Sequence, residues 1–324
     1  MKHFFPTSCA QKEFQSTKIF RVLISSLLAP LFVTSSLIAQ TWNWATSASC
    51  DGGAKGSAIA EDASGNVFVI GSFSSPSVTF GSTTLNCSGG SDGFIVKYDP
   101  NGAVVWATSI GGTGNDYFQK ILYSNGNLYV AAWSDSPQID LNGSNVTNDY
   151  VNYLLLMVIN ASTGVVGNFK QLEGDLSEEV HLALNPSTGG IVVGGGYTDD
   201  LVIGGLTIPN VYTNHDDIFF MSFSSQFSFK WHRSYGGNYI DQVKDVAADA
   251  AGNVYMLAVS RSPSLQFEML NPQLFFSGGQ NYLLGKWDAN GTLRYTRYAG
   301  GVGSDLQVSM TAGFPTGFVN VIGS

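Results

Sequence analysis

The stretch Asp62-Ala63-Ser64-Gly65-Asn66-Val67-Phe68-Val69 reads as a turn running into a strand, and its core, GNVFV, returns down the chain. It recurs as GNLYV at Gly126–Val130, GGIVV at Gly189–Val193, GNVYM at Gly252–Met256 and GFVNV at Gly317–Val321, in steps of 61, 63, 63 and 65 residues. A second landmark keeps the same beat: WATSIGG at Trp106–Gly112, WHRSYGG at Trp231–Gly237 and YTRYAGG at Tyr295–Gly301, with Trp44-Ala45-Thr46-Ser47 opening the series. A third, DGFIVKYDPNG at Asp92–Gly102, is echoed by NYLLGKWDANG at Asn281–Gly291. Three landmarks in register define a repeat of about 62 residues, present four times with a fifth begun. The units run roughly over 44–105, 106–167, 168–230, 231–294 and, in part, 295–324.

Within one unit, residues 57–62, 66–73, 94–98 and 103–109 are short runs rich in Val, Ile, Phe and Tyr, with a weaker extended stretch near 78–85. Two of the three junctions read D-x-x-G: Asp62–Gly65 and Asp99–Gly102, with Asp249–Gly252 and Asp288–Gly291 repeating them. Asp opening a type I turn accepts hydrogen bonds from the turn's N–H groups, and the closing Gly supplies the positive φ of a bulged hairpin. Each D-x-x-G is therefore a hairpin tip, and two per unit imply a four-stranded antiparallel meander.

Such a meander has two apolar faces and cannot bury both alone; stacked radially, each sheet covers its neighbour. The expected fold class is all-β, a β-propeller of four-stranded antiparallel blades. Trp44, Trp106, Trp231 and Tyr295 read as blade-to-blade packing residues, while in the third unit Asn168-Phe169 replaces the Trp and Glu173-Gly174 replaces Gly-Gly. The chain enters on a 42–49 strand that matches the last strand of a unit and stops after the second strand of the fifth. The expectation is an incomplete propeller, part of a longer protein, with a gap in the ring or a two-stranded fifth blade.

The combination GGxGxD, then GN-aromatic-V, then a Gly-rich loop and DgFivKyDxxG resembles the SBBP repeat of secreted bacterial β-propellers. It is carried by Gly111–Asp116, Gly126–Val130, Asp92–Lys97 and Asp99–Gly102. The resemblance covers roughly residues 42–324, close in the first and fourth units and eroded in the second and third. It implies a large exported surface or extracellular protein, often with a C-terminal sorting domain, and brings no catalytic residues to this chain.

The first 39 residues stand apart from the repeat. Lys2, Lys12, Lys18 and Arg21 precede an apolar run over 22–38 that ends at Ala39-Gln40. A basic leader, an apolar stretch and a small residue before a polar one describe a signal peptide, 1–39, leaving a repeat domain over 40–324 outside the cytoplasm, secreted or on the outer cell surface. No later segment approaches the length of a membrane span. Without the leader, 11 basic and 23 acidic residues remain, a net charge of −12. That surface repels nucleic acid and anionic lipid and suits neutral glycans, cations or plain solubility. Cys50 and Cys87 remain as the pair a disulfide would join; an oxidising compartment permits it, and spacing leaves open whether they meet.

Gly89-Gly90-Ser91-Asp92-Gly93 matches G-x-S-x-G, but a strand follows it where a nucleophile elbow needs a helix. Gly111–Asp116 and Gly300–Asp305 match the start of a calcium-binding nonapeptide, yet return once per blade rather than every nine residues, so a turn is the better reading. His181, His215 and His232 fall at different phases of their units. Asn160–Gly164, NASTG, reads as a Thr-Gly turn.

One constellation keeps the period. Asp116, Glu179, Asp241 and Asp305 stand ahead of the first strand in successive units, with Ser57 as their counterpart in the first. Lining a central channel, they would make a ring of oxygen ligands for a hard cation; the alternative, favoured by their loop positions, is that each carboxylate caps N–H groups of its own loop. No metal site and no cofactor is assigned. The expected function is non-catalytic binding or scaffolding outside the cytoplasm, with a glycan or protein partner. The rival is an extracellular polysaccharide hydrolase or lyase with its site in a top-face loop.

Overall fold

The computed structural model describes residues 43–141, 144–150, 152–210, 215–262, 264–265, 274–275, 281–300, 308–312 and 319–323. The leader over 1–39 and Asp305 lie outside the described residues. Every regular element among the described residues is a β-strand, and every strand pairing is antiparallel.

Four sheets follow one another along the chain, each with its strands hydrogen-bonded in chain order. The first comprises Ala54–Glu61, Val67–Phe73, Asp92–Tyr98 and Val104–Ile110, the second Asp116–Ser124, Asn127–Ser134, Tyr153–Asn160 and Val166–Glu173. The third comprises Leu176–Leu184, Ile191–Tyr197, Asp217–Phe223 and Phe229–Tyr235, the fourth Asp241–Ala248, Val254–Ser260, Asn281–Trp287 and Leu293–Gly300. A two-stranded pair, Val308–Ala312 with Val319–Gly323, follows, and no described sheet closes on itself.

The D-x-x-G turns form as their chemistry dictates. Asp62 Oδ1 accepts the N–H groups of Ser64 and Asn66, both at 2.9 Å, and Asp99, Asp249 and Asp288 repeat the arrangement on their own turns. The closing glycine of the first lies at φ 78°, a conformation an L side chain resists.

Alternation along the middle strands explains why the sheets pack in series. Phe68, Ile70 and Ile95 of the first sheet meet Leu128, Val130 and Leu155 of the second in one buried cluster. The intervening residues, Tyr129, Leu154 and Leu156, point the other way and meet Val193, Phe219 and Met221 of the third. Val192, Ile218 and Phe220 in turn meet Val254, Met256 and Leu283 of the fourth, whose Tyr255 and Leu257 receive Met310 of the final pair. Because successive side chains alternate sides, one strand supplies two interfaces, and its sequence reads as an unbroken apolar run. The first strand of each sheet touches the first strand of the next, from Ala54–Glu61 through to Val308–Ala312.

The weak extended stretch near 78–85 is a separate hairpin, Ser77–Phe80 with Thr83–Asn86, inserted between the second and third strands of its sheet. It reaches back to Ala48–Cys50, pairing Ala48 with Phe80 and Cys50 with Val78. In the next two units the inserted hairpin likewise reaches the last strand of the sheet before it: Ile139 bridges Gly112, and Val202 pairs with Glu173. The entering strand thus pairs with this hairpin of the first unit.

The same hairpin keeps the cysteines apart. Cys50 lies beside the near strand and Cys87 follows the far one, two strand spacings or roughly 10 Å away, beyond the roughly 7 Å Cα limit of a disulfide. Cys87 is a free thiol against the carbonyls of Phe73 and Gly89, so the Cys50–Cys87 bridge is not formed.

Candidate functional site

Each first strand carries a β-bulge. Register skips Ser57 between Gly56 and Ala58, Gln119 between Phe118 and Lys120, residues 177–179 between Leu176 and Val180, and Lys244 between Val243 and Asp245. A bulge leaves its extra residue out of the ladder and re-aims the side chain. The skipped residues of the first three sheets open into one cleft of about 490 Å³, lined by Lys55, Ser57, Ser72, Tyr117, Gln119, Lys120 and Glu179 among others. That size falls within the range of small-ligand sites.

Lys244 Nζ, from the fourth sheet, donates to Glu179 Oε2 at 2.9 Å. His181 Nε2 stands 3.5 Å from the other carboxylate oxygen. The imidazole and then the ammonium outweigh partial burial and hold the Glu179 carboxyl at about 2, well below the usual range. Lys55 and Lys120 make no ion pair with a described residue. Tyr117 stacks on Trp133, ring centroids 5.8 Å apart at 20°, and Trp133 Nε1 donates to the Leu176 carbonyl at 3.3 Å, joining the second and third sheets at the cleft wall.

The described members of the acidic series, Asp116, Glu179 and Asp241, do not come together in a ring. Asp116 is buried; its carboxylate accepts Gly112 N–H at 2.7 Å, Ser134 Oγ at 2.5 Å and Ser136 Oγ at 2.8 Å. Asp241 is buried in the same way, accepting Ser260 Oγ at 2.5 Å and Ser262 Oγ at 2.9 Å. Burial pushes both carboxyls up, against the pull of those hydrogen bonds. By register their partners Ser134 and Ser260 correspond to Phe73 and Tyr197, which pair with Ala54 and Leu176, so the first and third sheets carry no acid at this place. Glu179 and Ser57 belong to a different position, the bulge, and both face the cleft. Among the described residues no three His, Cys, Asp or Glu side chains gather as metal ligands.

The remaining motifs serve the scaffold. Ser91 is buried and donates to the Phe73 carbonyl at 3.2 Å. In the Gly111–Asp116 segment, Gly114 N–H meets Ser136 Oγ and Asn115 N–H meets Asp135 Oδ1, so the segment is a turn closed on its neighbours. A Cβ on Gly111 would strike the Asp92 carboxylate, and one on Gly236 would strike Asp217, which is why each Gly-Gly follows its strand. The second sheet pairs Tyr153 with Glu173 at this place. The histidines lie apart in their contacts: His215 faces Tyr239 and His232 faces Phe229.

Sequence reasoning missed Lys55, Tyr117, Gln119, Lys120 and Lys244. Their signal is a cluster of basic residues on first strands in a chain with few of them, but only the bulges show that they converge.

No family model and no curated protein matches this chain. Among solved structures it is similar to the Dos1 propeller, at 12% identity and a TM-score of 0.35, over 74% of this chain and 59% of that one. The chain thus spans about three fifths of that structure's length.

Proposed function

We propose that this chain is a non-catalytic binding protein, a β-propeller of the SBBP-repeat type that acts outside the cytoplasm and holds its ligand in the cleft between its first strands. The observation that carries the reading is the shared cleft: three successive units each contribute a bulged first strand to one concave surface of mixed polar and apolar character. In-series packing of two-faced sheets supports a radial arrangement of blades around those strands.

The hydrolase alternative needs two carboxylates, one of them kept protonated as general acid. Glu179 is the carboxylate among the residues lining the cleft, and its neighbours hold it ionised. A glycan is the favoured ligand, since the cleft sets hydroxyl and amide groups beside an aromatic wall. Among the described residues no helix is long and apolar enough to cross a membrane.

The test is a screen of the purified exported protein on a glycan array, run beside assays for reducing ends and unsaturated sugar products on the polysaccharides it binds. Retention without product is expected, and binding should weaken in Gln119→Ala. Turnover of any bound polysaccharide would replace this reading with the enzyme. N-terminal sequencing of the exported form should begin close to Gln40; a form that starts before Val22 would contradict removal of the leader.

A further inference from the structure

Resting on that reading, we propose that the cleft is selective for acidic saccharides, uronate- or sulfate-bearing, with Lys55 and Lys120 as the pair that receives the anion. The protein is acidic overall, with a net charge of −9, yet the cleft holds two lysines without ion-pair partners among the described residues and one carboxylate. That carboxylate is already neutralised by Lys244 from the fourth sheet. The cleft side chains therefore carry an unbalanced positive charge inside a negative surface, the arrangement that draws an anion to one place and repels it elsewhere.

The neutral lining fits the rest of a sugar. Ser57, Ser72 and Gln119 present hydroxyl and amide groups, and Gln119 Oε1 is screened from solvent without a donor among the described residues, an acceptor left for a ligand hydroxyl. Lysine suits this role because its ammonium is a compact point charge that matches carboxylate and sulfate alike.

An acidic peptide is the other anion to weigh. A peptide recognised in extended form would add a strand to an exposed sheet edge, and the first strands are such edges. The three that line the cleft are each interrupted there by a bulge, which breaks the hydrogen-bond ladder a peptide would need. The observations therefore favour a compact, hydroxyl-rich anion.

The experiment is affinity electrophoresis and calorimetry of the full exported chain with alginate, chondroitin sulfate, neutral dextran and poly-glutamate. Binding to alginate, chondroitin sulfate or both is expected, weakening as salt rises, with alginate reporting carboxylate and chondroitin sulfate reporting sulfate recognition. Lys55→Ala with Lys120→Ala should lower affinity about tenfold or more, at unchanged thermal midpoint. A separate Lys170→Ala variant, outside the cleft, controls for general charge and should leave affinity unchanged. Equal binding of dextran, or an unchanged affinity in the double variant, overturns the charge assignment while leaving the cleft as the ligand seat. Poly-glutamate binding as tightly as alginate overturns the saccharide assignment. Failure to bind any of the four, together with an empty glycan array, overturns both this inference and the glycan reading beneath it.

Discussion

Trp231 lies across Gly291: a Cβ on that glycine would fall 2.6 Å from Trp231 Cδ2, and the indole Nε1 donates to the Ala289 carbonyl at 3.1 Å. The tryptophan belongs to the last strand of the third sheet and the glycine to the outer turn of the fourth. Trp44 covers Gly102, with a Cβ 2.6 Å from the ring, and Trp106 covers Gly164 at 2.9 Å. The repeated Trp and the repeated turn Gly are thus two halves of one contact between neighbouring sheets. The glycine is required twice over, for its positive φ and for the ring that occupies the space of a side chain.

Gly291→Ala should therefore destabilise the protein by about 1–3 kcal/mol, and Trp231→Ala by about 3 kcal/mol, the lower end for a large aromatic because this one is half-buried. Denaturant unfolding of both single variants and the double variant checks the contact itself. In the Trp231→Ala background Gly291→Ala should cost only its backbone part, since the clash is gone. Strict additivity of the two changes would show that ring and glycine do not interact.

The contact between the second and third sheets breaks the pattern on both of its sides at once. Asn168 stands where the Trp would be, and Phe227 occupies the turn position of the Gly at φ 53°. Phe227 is buried against Tyr129, centroids 6.0 Å apart, and Asn168 Nδ2 donates to the Gln226 carbonyl at 2.6 Å. A ring supplied from the turn fills the place of a ring supplied from the strand. Phe227→Gly should lose about 3–5 kcal/mol, and adding Asn168→Trp should recover part of that loss. If the double variant unfolds no later than Phe227→Gly alone, the two arrangements are not interchangeable.

Asp241→Ala leaves the hydroxyls of Ser260 and Ser262 without their acceptor in a buried site, a cost of about 1–3 kcal/mol for each group left unsatisfied. Thermal unfolding should record that loss with ligand binding in the cleft unchanged. Titration of the parent protein with Ca²⁺ should give no specific heat from this carboxylate. A single tight calcium site that disappears in Asp241→Ala would restore the ion-binding reading of the acidic series.

Acid should weaken the ion pairs that Glu179 makes at the cleft. Glu179 is held at about 2 by His181 and Lys244 against an ordinary 4.5, so the unfolded chain takes up its proton first. Its stabilisation is complete above pH 4.5 and is lost as pH falls from there through about 2. Half of the side chain is exposed, so solvent screening keeps the effect small. Glu179→Gln should flatten that part of the stability-against-pH curve; an unchanged acid slope would mean that the pair contributes nothing to folding.

The sequence by itself determined the repeat, the four-stranded meander and the hairpin tips, because each rests on local chemistry. An Asp that accepts N–H groups two and four residues on, and a Gly at positive φ, act within one turn and leave their mark within six residues. It also made Trp44, Trp106 and Trp231 legible as packing residues, since a large aromatic that returns with the period must meet something that returns with it. Only the tertiary structure decided what they meet, for Trp231 and Gly291 are sixty residues apart and the exchange of Trp for Phe227 crosses two sheets. The same holds for the cleft. Asp116 and Asp241 keep the beat in sequence, but pairing register places them at the buried starts of their strands, while the bulges turn Ser57, Gln119, Glu179 and Lys244 out of the ladder. A bulge is a property of two strands and the hydrogen bonds between them, and counting along one strand carries no record of which residue the partner skips.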